Sequence, residues 1–435
     1  MNFYSTNDKT NLVSLREAVL QGLAIDNGLY MPEEVPVLPG AFFDNIHNMG
    51  FRQIAMTVAE RFMSNDIPAA NLKEIIDHTI QFDAPLVEVE ENVTALELFH
   101  GPTMAFKDFG ARFMSGLLGF FSGQIKQEIV ILVATSGDTG SAVANGFFDV
   151  PGIRVVVLYP SGKVSEVQEK QFTTLGRNIT ALEIQGTFDD CQRLVKAAFP
   201  DKVLRDKYFL TSANSINIAR LIPQSFYYFY AYAQRKTRDL PVVISVPSGN
   251  FGNLTAGLIA KRMGLPIQKF IAATNVNDVV PEYLNTGLMK PRASRHTLSN
   301  AMDVGNPSNF ARMIDLYSGN VDFIKTDVIG YAFSDDETRK AMKDVSLNFD
   351  YILDPHGAVG YLGLKKYMHR HPGPVNGIFL ETAHPAKFGD VVESAIGRNV
   401  PLPETLQKFL YGKKQACLVG SGYEEFRTAL LNLLG

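Results

Sequence analysis

From about residue 85 onward, short apolar runs alternate with stretches of helical periodicity, and this alternation restricts the fold more than any other feature. The runs rich in β-branched residues lie at 128–135, 153–160, 242–248, 270–276 and 376–382. Continuous apolar strands are buried on both faces, which requires a parallel sheet with helices on each side. The pattern therefore predicts an α/β protein.

Residues 1–85 follow a different pattern and carry no recognisable chemical motif. Apolar residues recur at helical spacing in 11–23, 51–63 and 69–80, which predicts three amphipathic helices. The aromatic stretch 224–234 also has helical spacing and predicts a helix in the core or at an interface. We expect a small, mainly helical N-terminal domain that packs onto the α/β part.

Composition and charge exclude several classes of protein. The 435 residues have a net charge of −4, so no basic excess predicts nucleic-acid binding. The two cysteines, Cys191 and Cys417, exclude a disulfide framework and favour a reducing compartment. The longest candidate for a membrane span, 113–125, is too short to cross a bilayer, and no metal-ligand motif is present. We expect a cytoplasmic protein without nucleic-acid, membrane or metal partners.

One lysine stands between aromatic Phe106 and acidic Asp108 in the stretch HGPTMAFKDFG, residues 100–110. A lysine at a helix end can lay its aliphatic stem on the core and keep its ammonium in water. Alternatively, an apolar environment holds Lys107 deprotonated or covalently bound to a carbonyl group. We expect Asp108 to order the local backbone rather than to act on a substrate.

Three turns that follow strands are rich in small polar residues, and ligands of α/β sheets bind at such turns. The turn ATSGDTG, 134–140, suits an anion such as a carboxylate, although the same residue types also cap helices. The turn PSGNFGN, 247–253, predicts a phosphate cradle and lacks the Walker and dinucleotide patterns. The turn 381–388 offers the Thr382 hydroxyl and His384, and we interpret the histidine as structural.

A reactive lysine, a glycine-rich phosphate cradle and a hydroxyl for a ring nitrogen are the protein groups that pyridoxal 5'-phosphate requires. The set resembles the threonine synthases, within the tryptophan-synthase-β-like (fold type II) pyridoxal-phosphate enzymes. The stretches that carry the resemblance are LELFHGPTMAFKDFGARF, VATSGDTGSAVA, LTSANSINIARL, VVISVPSGNFGN, FIAATNVNDVVP, TLSNAMDVGNPSN and ETAHPAKF, with SLREAVLQGLAIDNGLYMP near the N-terminus.

The resemblance implies a fold with two parallel-sheet α/β lobes and the cofactor in the cleft between them. The first lobe, 86–225, would carry Lys107 and the TSGDTG loop. The second lobe, 226–435, would carry the SGNFGN phosphate loop and Thr382. The helical N-terminal domain would occupy residues 1–85.

The resemblance also implies roles for individual residues toward the cofactor. Lys107 would form the Schiff base and move protons during catalysis. The cofactor phosphate would be held by Gly249, Asn250, Phe251, Gly252 and Asn253. Thr382 would meet the pyridine nitrogen, and a hydroxyl does not hold that nitrogen protonated as a carboxylate does.

The substrate side of the site is also implied by the resemblance. Ser136, Asp138 and Thr139 lie in the loop that would receive the substrate carboxylate and border the cofactor. The wider superfamily often has Asn in place of Asp138, and an ionised Asp cannot donate a hydrogen bond to the ring hydroxyl as Asn can. We hypothesise that Arg220 and Lys387 bind the substrate phosphate, although Arg220 fits a surface position as well. The polar helpers would be Asn214, Ser215 and Asn217.

As an expectation from the resemblance, the chain converts O-phospho-L-homoserine and water to L-threonine and phosphate, the last step of threonine biosynthesis. The reaction would be a β,γ-elimination and replacement. The alternatives are a related phospholyase that releases a keto acid, another lyase or dehydratase of the superfamily, and a non-catalytic binding protein. A monomer and a homodimer both fit, and no effector domain is evident.

Overall fold

We describe the protein from a computed structural model, which covers residues 1–123 and 125–435. The described strands are β1 (Asn2–Ser5), β2 (Leu12–Ser14), β3 (Tyr30–Pro32), β4 (Leu86–Glu90), β5 (Val93–Glu97), β6 (Ile129–Ala134), β7 (Ile153–Pro160), β8 (Ile179–Gln185), β9 (Phe209–Ser212), β10 (Val242–Pro247), β11 (Ile267–Thr274), β12 (Val328–Ala332), β13 (Asn376–Glu381) and β14 (Cys417–Gly420).

The α-helices alternate with the strands over most of the chain. They are α1 (Leu15–Gln21), α2 (Gly40–Asn45), α3 (Phe51–Met63), α4 (Ala69–Thr79), α5 (Lys107–Ser122), α6 (Asp138–Gly146), α7 (Glu166–Thr173), α8 (Phe188–Ala198), α9 (Lys202–Lys207), α10 (Ile218–Leu221), α11 (Phe226–Ala233), α12 (Gly252–Arg262), α13 (Val279–Thr286), α14 (Phe310–Leu316), α15 (Val321–Asp327), α16 (Asp335–Phe349), α17 (Pro355–Arg370), α18 (Gly389–Ile396), α19 (Glu404–Leu410) and α20 (Tyr423–Leu434). Short 3₁₀ helices occupy Ile46–Asn48, Ile222–Ser225, Asn300–Met302 and Pro385–Phe388.

Two large sheets form the α/β part. One has the strand order β14-β8-β7-β6-β9 and is parallel throughout. The other has the order β12-β11-β10-β13-β5-β4 and is parallel except for the antiparallel pair of β4 and β5. Every residue of β6 and of β10 is buried, as expected for strands covered on both faces.

The elements predicted from hydrophobic periodicity agree with the structure in most cases. The five apolar runs of the sequence form β6, β7, β10, β11 and β13, and the stretches 51–63 and 69–80 form α3 and α4. The aromatic stretch forms α11, whose residues from Phe226 to Phe229 are all buried, so it belongs to the core. Among the described residues, no helix is both long enough and apolar enough to cross a membrane.

The N-terminal region differs from its sequence prediction in one respect. The stretch 11–23 begins with the short strand β2, and α1 starts only after Ser14, whose hydroxyl caps the helix in a reciprocal pair with Glu17. Strands β2, β1 and β3 form a small antiparallel sheet beside the helices. The sheet arises because extended residues far apart in this region pair with one another, which helical periodicity does not reveal.

The two large sheets do not divide at the predicted boundary near residue 225. Strands β4 and β5 fall within the predicted first lobe, but β5 pairs with β13 in the other sheet. The C-terminal strand β14 returns to the first sheet and pairs with β8. Strand partners are chosen by tertiary packing, so a division into continuous segments cannot describe these sheets.

Candidate active site

Lys107 is the first residue of α5 and lies beside the turn that follows β13. The backbone N–H of Phe106 donates to the carbonyl of Thr382 at 2.9 Å, and the N–H of His384 donates to the carbonyl of Met104 at 3.1 Å. These two bonds form a short antiparallel bridge between distant parts of the chain. The bridge places the predicted reactive lysine next to the predicted ring-nitrogen threonine.

The ammonium group of Lys107 is sheltered from water and faces a carboxylate. Its Nζ lies 3.7 Å from Oδ2 of Asp138, and its side chain is 16% exposed. Burial lowers the pKa of Lys107; the charge of Asp138 offsets part of this effect, and the positive charges of Lys387 and Arg220 add to it. Such an environment favours a neutral amine more than a surface position does.

Asp138 is the central anion of this group and is the first residue of α6. Its Oδ1 accepts hydrogen bonds from Nζ of Lys387 at 2.7 Å and from Nε2 of Gln168 at 2.9 Å. Burial by itself raises the pKa of the Asp138 carboxyl, but the charges of Lys387 and Lys107 and these two hydrogen bonds lower it well below its usual range. Asp138 is therefore ionised at neutral pH.

Asp108 orders the backbone, as the sequence analysis expected. Its carboxyl oxygens accept from the backbone N–H and from the hydroxyl of Thr103 at 2.9 and 2.6 Å. The Thr103 carbonyl in turn accepts from Nζ of Lys387 at 2.8 Å and from Nε2 of Gln171 at 3.0 Å. Asp108 thus fixes the turn that leads into Lys107 and is 1% exposed.

The turn after β10 is a cradle of backbone donors at the start of α12. Among the described residues, none accepts a hydrogen bond from the backbone N–H groups of Gly249, Asn250, Phe251, Gly252 and Asn253. Phe251 has φ +59°, a left-handed conformation that turns the chain into the helix. Five consecutive free N–H groups at a helix N-terminus suit a phosphate.

Side chains of the loop hold this cradle in shape. Asn253 accepts from the Ser248 hydroxyl at 2.7 Å and donates to the Pro247 carbonyl at 2.9 Å, so its amide is used within the loop. Asn250 donates to the hydroxyl of Ser215 at 2.6 Å. A Cβ atom on Gly249 would lie 2.5 Å from Cα of Met302, which requires glycine at that position. The cradle fits the phosphate of pyridoxal 5'-phosphate, which the sequence motifs predict.

The turn after β6 is organised around the hydroxyl of Thr135. This oxygen accepts from the N–H groups of Gly137 and Gly140 at 2.9 and 2.8 Å. Gly137 has φ +142°, a conformation that side chains rarely adopt. Ser136 and Thr139, the predicted contacts of the substrate carboxylate, are half-buried in this turn.

The stretch SANSINIAR places Arg220 in the interior, 2% exposed. The alternative that Arg220 is a surface residue is therefore wrong. Its Nη1 donates to the Ala213 carbonyl, while its Nε and the Asn214 Oδ1 have no partner among the described residues. Burial lowers the pKa of Arg220 to about 10, so the guanidinium stays charged at neutral pH. A buried cation with an unused donor suits an anionic ligand.

A glycine on α5 makes room for this arginine. A Cβ atom on Gly110 would lie 2.9 Å from Nε of Arg220. Gly110 follows Lys107 by three residues, so both lie on the same face of α5. Arg220 consequently lies against the helix face that carries Lys107.

Two of the polar residues singled out in the sequence, Asn217 and His384, form hydrogen bonds with the backbone. Asn217 caps α10, and its amide also donates to the carbonyl of Val19, so it is committed to the backbone. The Nδ1 of His384 accepts from the backbone N–H of Ala386 at 3.1 Å. Burial lowers the pKa of His384 to about 4, so the ring is neutral at neutral pH, as suits the structural role expected for it.

Sequence reasoning missed Arg312, which is fully buried and makes no ion pair among the described residues. Its guanidinium donates to the carbonyls of Tyr30 and Ile216 and to Oδ1 of Asn309. These bonds join the N-terminal sheet to the SANSINIAR stretch. Its only sequence signal is that it follows the stretch TLSNAMDVGNPSN by three residues.

The chain matches models of three protein families. "Threonine synthase N terminus" matches residues 2–80, "Pyridoxal-phosphate dependent enzyme" matches residues 81–377, and "Threonine synthase, C-terminal" matches residues 357–427. A threonine synthase of Haemophilus influenzae is 48% identical over 410 residues, which are 94% of this chain and 94% of that protein. The chain belongs to the threonine synthase family.

Two solved structures extend this relationship to the fold of the threonine synthase family. The crystal structure of threonine synthase from Escherichia coli has a TM-score of 0.92 and 42% identity and covers 100% of both chains. The pyridoxal-phosphate-bound threonine synthase from Brucella melitensis has a TM-score of 0.92 and 33% identity and covers 99% of both. The predicted family, the fold type II architecture and the cofactor, pyridoxal 5'-phosphate, are thereby confirmed.

Proposed function

We propose that the chain catalyses the conversion of O-phospho-L-homoserine and water to L-threonine and phosphate, with Lys107 as its catalytic residue. The observation that carries the proposal is the position of Lys107. Its amine is sheltered and faces Asp138, and the backbone that leads into it is bonded to the Thr382 turn. A lysine in this position can bind a carbonyl and move protons.

The cofactor would be held mainly by uncharged groups of the second large sheet. The free N–H groups from Gly249 to Asn253 bind its phosphate, with the partial positive charge of the α12 N-terminus behind them. Thr382 offers its hydroxyl to the ring nitrogen. A hydroxyl is a weaker acid than a carboxylic acid, so Thr382 would not hold this nitrogen protonated, and other donors would have to stabilise the negative charge that develops on the substrate.

Bound pyridoxal 5'-phosphate supplies an electron sink for a carbanion at the substrate α carbon. Lys107 supplies the proton transfers, because its neutral amine accepts a proton that its ammonium form later returns. The reaction removes protons from Cα and Cβ, breaks the bond between Cγ and the phosphate oxygen, and returns a proton to Cγ. Water then adds its hydroxyl at Cβ, and Cα regains a proton.

The substrate would be held at its two anionic ends. Ser136 and Thr139 would receive the carboxylate, together with the N–H groups of their turn that the Thr135 hydroxyl does not occupy. Arg220 binds the phosphate, because it is a buried cation with an unused Nε donor, and Asn214 assists it. Lys387 has already committed two of its three donors, to Asp138 and Thr103, which leaves less for the substrate phosphate than the original hypothesis assumed.

The test uses the purified full-length protein with pyridoxal 5'-phosphate. We expect a visible absorbance band of lysine-bound cofactor, and threonine with an equal amount of phosphate after O-phospho-L-homoserine is added. Mass spectrometry of the products decides the reaction. Phosphate with a keto acid would identify a phospholyase instead, and absence of the band would overturn the role of Lys107.

The cytoplasmic location expected from the sequence is part of this proposal. Both cysteines are free, Cys191 buried and Cys417 exposed. Unpaired cysteines are typical of a reducing compartment. The substrate is a small molecule, and the proposal covers no macromolecular partner.

A further inference from the structure

Three charged side chains meet at the start of α5 and α6, and their charges do not balance. Two lysines, Lys107 and Lys387, flank the single carboxylate of Asp138. The guanidinium of Arg220 adds a third positive charge nearby. Asp108 is a second buried carboxylate near Lys387 and Arg220, but its oxygens accept from Thr103. Asp138 is thus the carboxylate that both ammonium groups approach, and it holds the two at different distances.

The two lysines are held very differently. Nζ of Lys387 lies 2.7 Å from Asp138 Oδ1 and 2.8 Å from the Thr103 carbonyl, and its side chain has no exposure. Nζ of Lys107 lies 3.7 Å from Asp138 Oδ2, beyond good hydrogen-bond distance, and its side chain is 16% exposed. Nζ of Lys387 therefore has two acceptors at hydrogen-bond distance, whereas Nζ of Lys107 only approaches Asp138.

We propose that Lys387 is a positioning residue that remains the permanent counter-ion of Asp138, so that Lys107 is the lysine that gives up its proton. The inference deepens the proposed function and rests on it. It also reassigns Lys387, which the sequence suggested as a substrate-phosphate ligand.

The groups around Lys107 support this assignment. The charged groups that face it are Asp138 on α6, Lys387 in the 3₁₀ helix after β13, and Arg220 on α10. Burial lowers the pKa of Lys107, Asp138 raises it, and both Lys387 and Arg220 lower it further. Loss of the Lys387 charge therefore strengthens the ammonium form of Lys107 and shifts its titration to higher pH.

The pair also accounts for the aspartate at position 138. The anion at this position has its own buried cation. The Asp138–Lys387 pair is neutral as a unit, and the third N–H of Lys387 is left to serve as a hydrogen-bond donor. A carboxylate without this lysine would attract the proton of Lys107 and hold it.

The experiment measures how fast the full-length chain, freed of cofactor, captures added pyridoxal 5'-phosphate at different pH values. The neutral amine of Lys107 forms a carbon–nitrogen double bond with the cofactor aldehyde, whose oxygen leaves as water, and the visible band reports the rate. We expect Lys387→Met to raise the pH of half-maximal rate by at least about one unit, which is tenfold slower capture at neutral pH. Titration of the cofactor itself is common to all variants and cancels in the comparison.

A second pair of variants covers the case in which Lys387→Met fails to fold because Asp138 is left unpaired. Asp138→Asn and the double variant Asp138→Asn/Lys387→Met both lack the anion and differ only in the charge of Lys387. We expect the double variant to reach half-maximal capture at higher pH than Asp138→Asn. Circular dichroism verifies that both are folded.

Superimposed pH profiles within either pair would overturn the proposal. If they coincide and the KM for O-phospho-L-homoserine rises, Lys387 is a ligand of the substrate phosphate. The proposed function fails by a different result, namely the absence of a visible band or of threonine with the unaltered protein. The two failures are therefore distinguishable.

Discussion

The loop from Gly249 to Asn253 and the cluster of charged side chains around Asp138 differ in the kind of polar group that they present. The loop from Gly249 to Asn253 offers uncharged backbone N–H groups that follow one another along the chain. The cluster around Asp138 uses ionised side chains from distant segments, held at 2.7 to 3.7 Å from one another. Backbone donors cannot lose their protons, so the loop suits permanent binding. Ionisable side chains suit a step in which a proton moves.

The difference teaches how each region tolerates change. A backbone cradle depends on conformation, and therefore on glycine and on the φ of Phe251. An ionic cluster depends on the balance of charges, and therefore on every member being present. Substitutions should disable the loop through shape and the cluster through charge.

Removal of Lys107 should give the largest effect. We expect Lys107→Ala to lose the visible band of lysine-bound cofactor and to lower kcat by at least about 10³-fold, because the group that moves the protons is gone. Spectra and steady-state rates measure both. Lys73→Ala, on the exposed face of α4, is the control and should behave as the unaltered protein. Near-normal turnover of Lys107→Ala would refute the assignment.

A methyl group in the phosphate loop should give the next largest effect. In Gly249→Ala the new Cβ would lie 2.5 Å from Cα of Met302 and 3.0 Å from the Ala301 carbonyl, so the cradle must shift. Loss of one or two hydrogen bonds to a phosphate corresponds to about 10- to 100-fold weaker cofactor binding. Equilibrium titration with pyridoxal 5'-phosphate measures this.

Gly119→Ala on α5 provides the matched control for the loop. Its Cβ would lie 3.7 Å from Cγ1 of Val150, an ordinary contact, and alanine favours a helix. We expect unchanged cofactor affinity and equal or greater thermal stability. Equal affinities for the two alanine variants would show that loop shape does not govern phosphate binding.

Arg220 tests whether substrate and cofactor anions are held separately. We expect Arg220→Gln to raise the KM for O-phospho-L-homoserine by about 10-fold or more while the cofactor band is kept, because one charge-assisted hydrogen bond is lost. Arg339→Gln, at an exposed position of α16, serves as control. A KM equal to that of the unaltered protein would remove Arg220 from substrate binding.

Thr382 should give the smallest of these effects. We expect Thr382→Val to keep the covalent link to Lys107, since the backbone bond from Phe106 to the Thr382 carbonyl is unaffected. Loss of one neutral hydrogen bond at about 1 kcal/mol predicts a roughly fivefold lower kcat. A shift of the visible band with unchanged cofactor affinity would indicate that the Thr382 hydroxyl contacts the cofactor ring. Identical spectra and rates would contradict that role.

Local patterns made part of this site predictable. The turns after β6 and β10 were recognisable because glycines and small polar residues directly follow apolar strands. Lys107 was recognisable because a lone lysine stands among apolar residues in a specific motif. Gln168 and Thr103 were not. Gln168 lies outside the quoted motifs, and Thr103, although inside the stretch 100–110, acts only through partners that folding brings to it.

The sequence by itself determined the alternation of buried strands and helices. Its motifs, by their resemblance to a known family, predicted the family, the cofactor and a reactive role for Lys107. These features depend on residue type and short-range spacing, and both can be read from the sequence. Tertiary structure alone decided that β5 pairs with β13 and that β14 pairs with β8, each in the sheet opposite to its place in the chain. It also decided that Arg220 is buried and that Lys387 pairs with Asp138. Strand partners and charge pairs join residues far apart in the chain, and only the packing of the whole molecule selects among them.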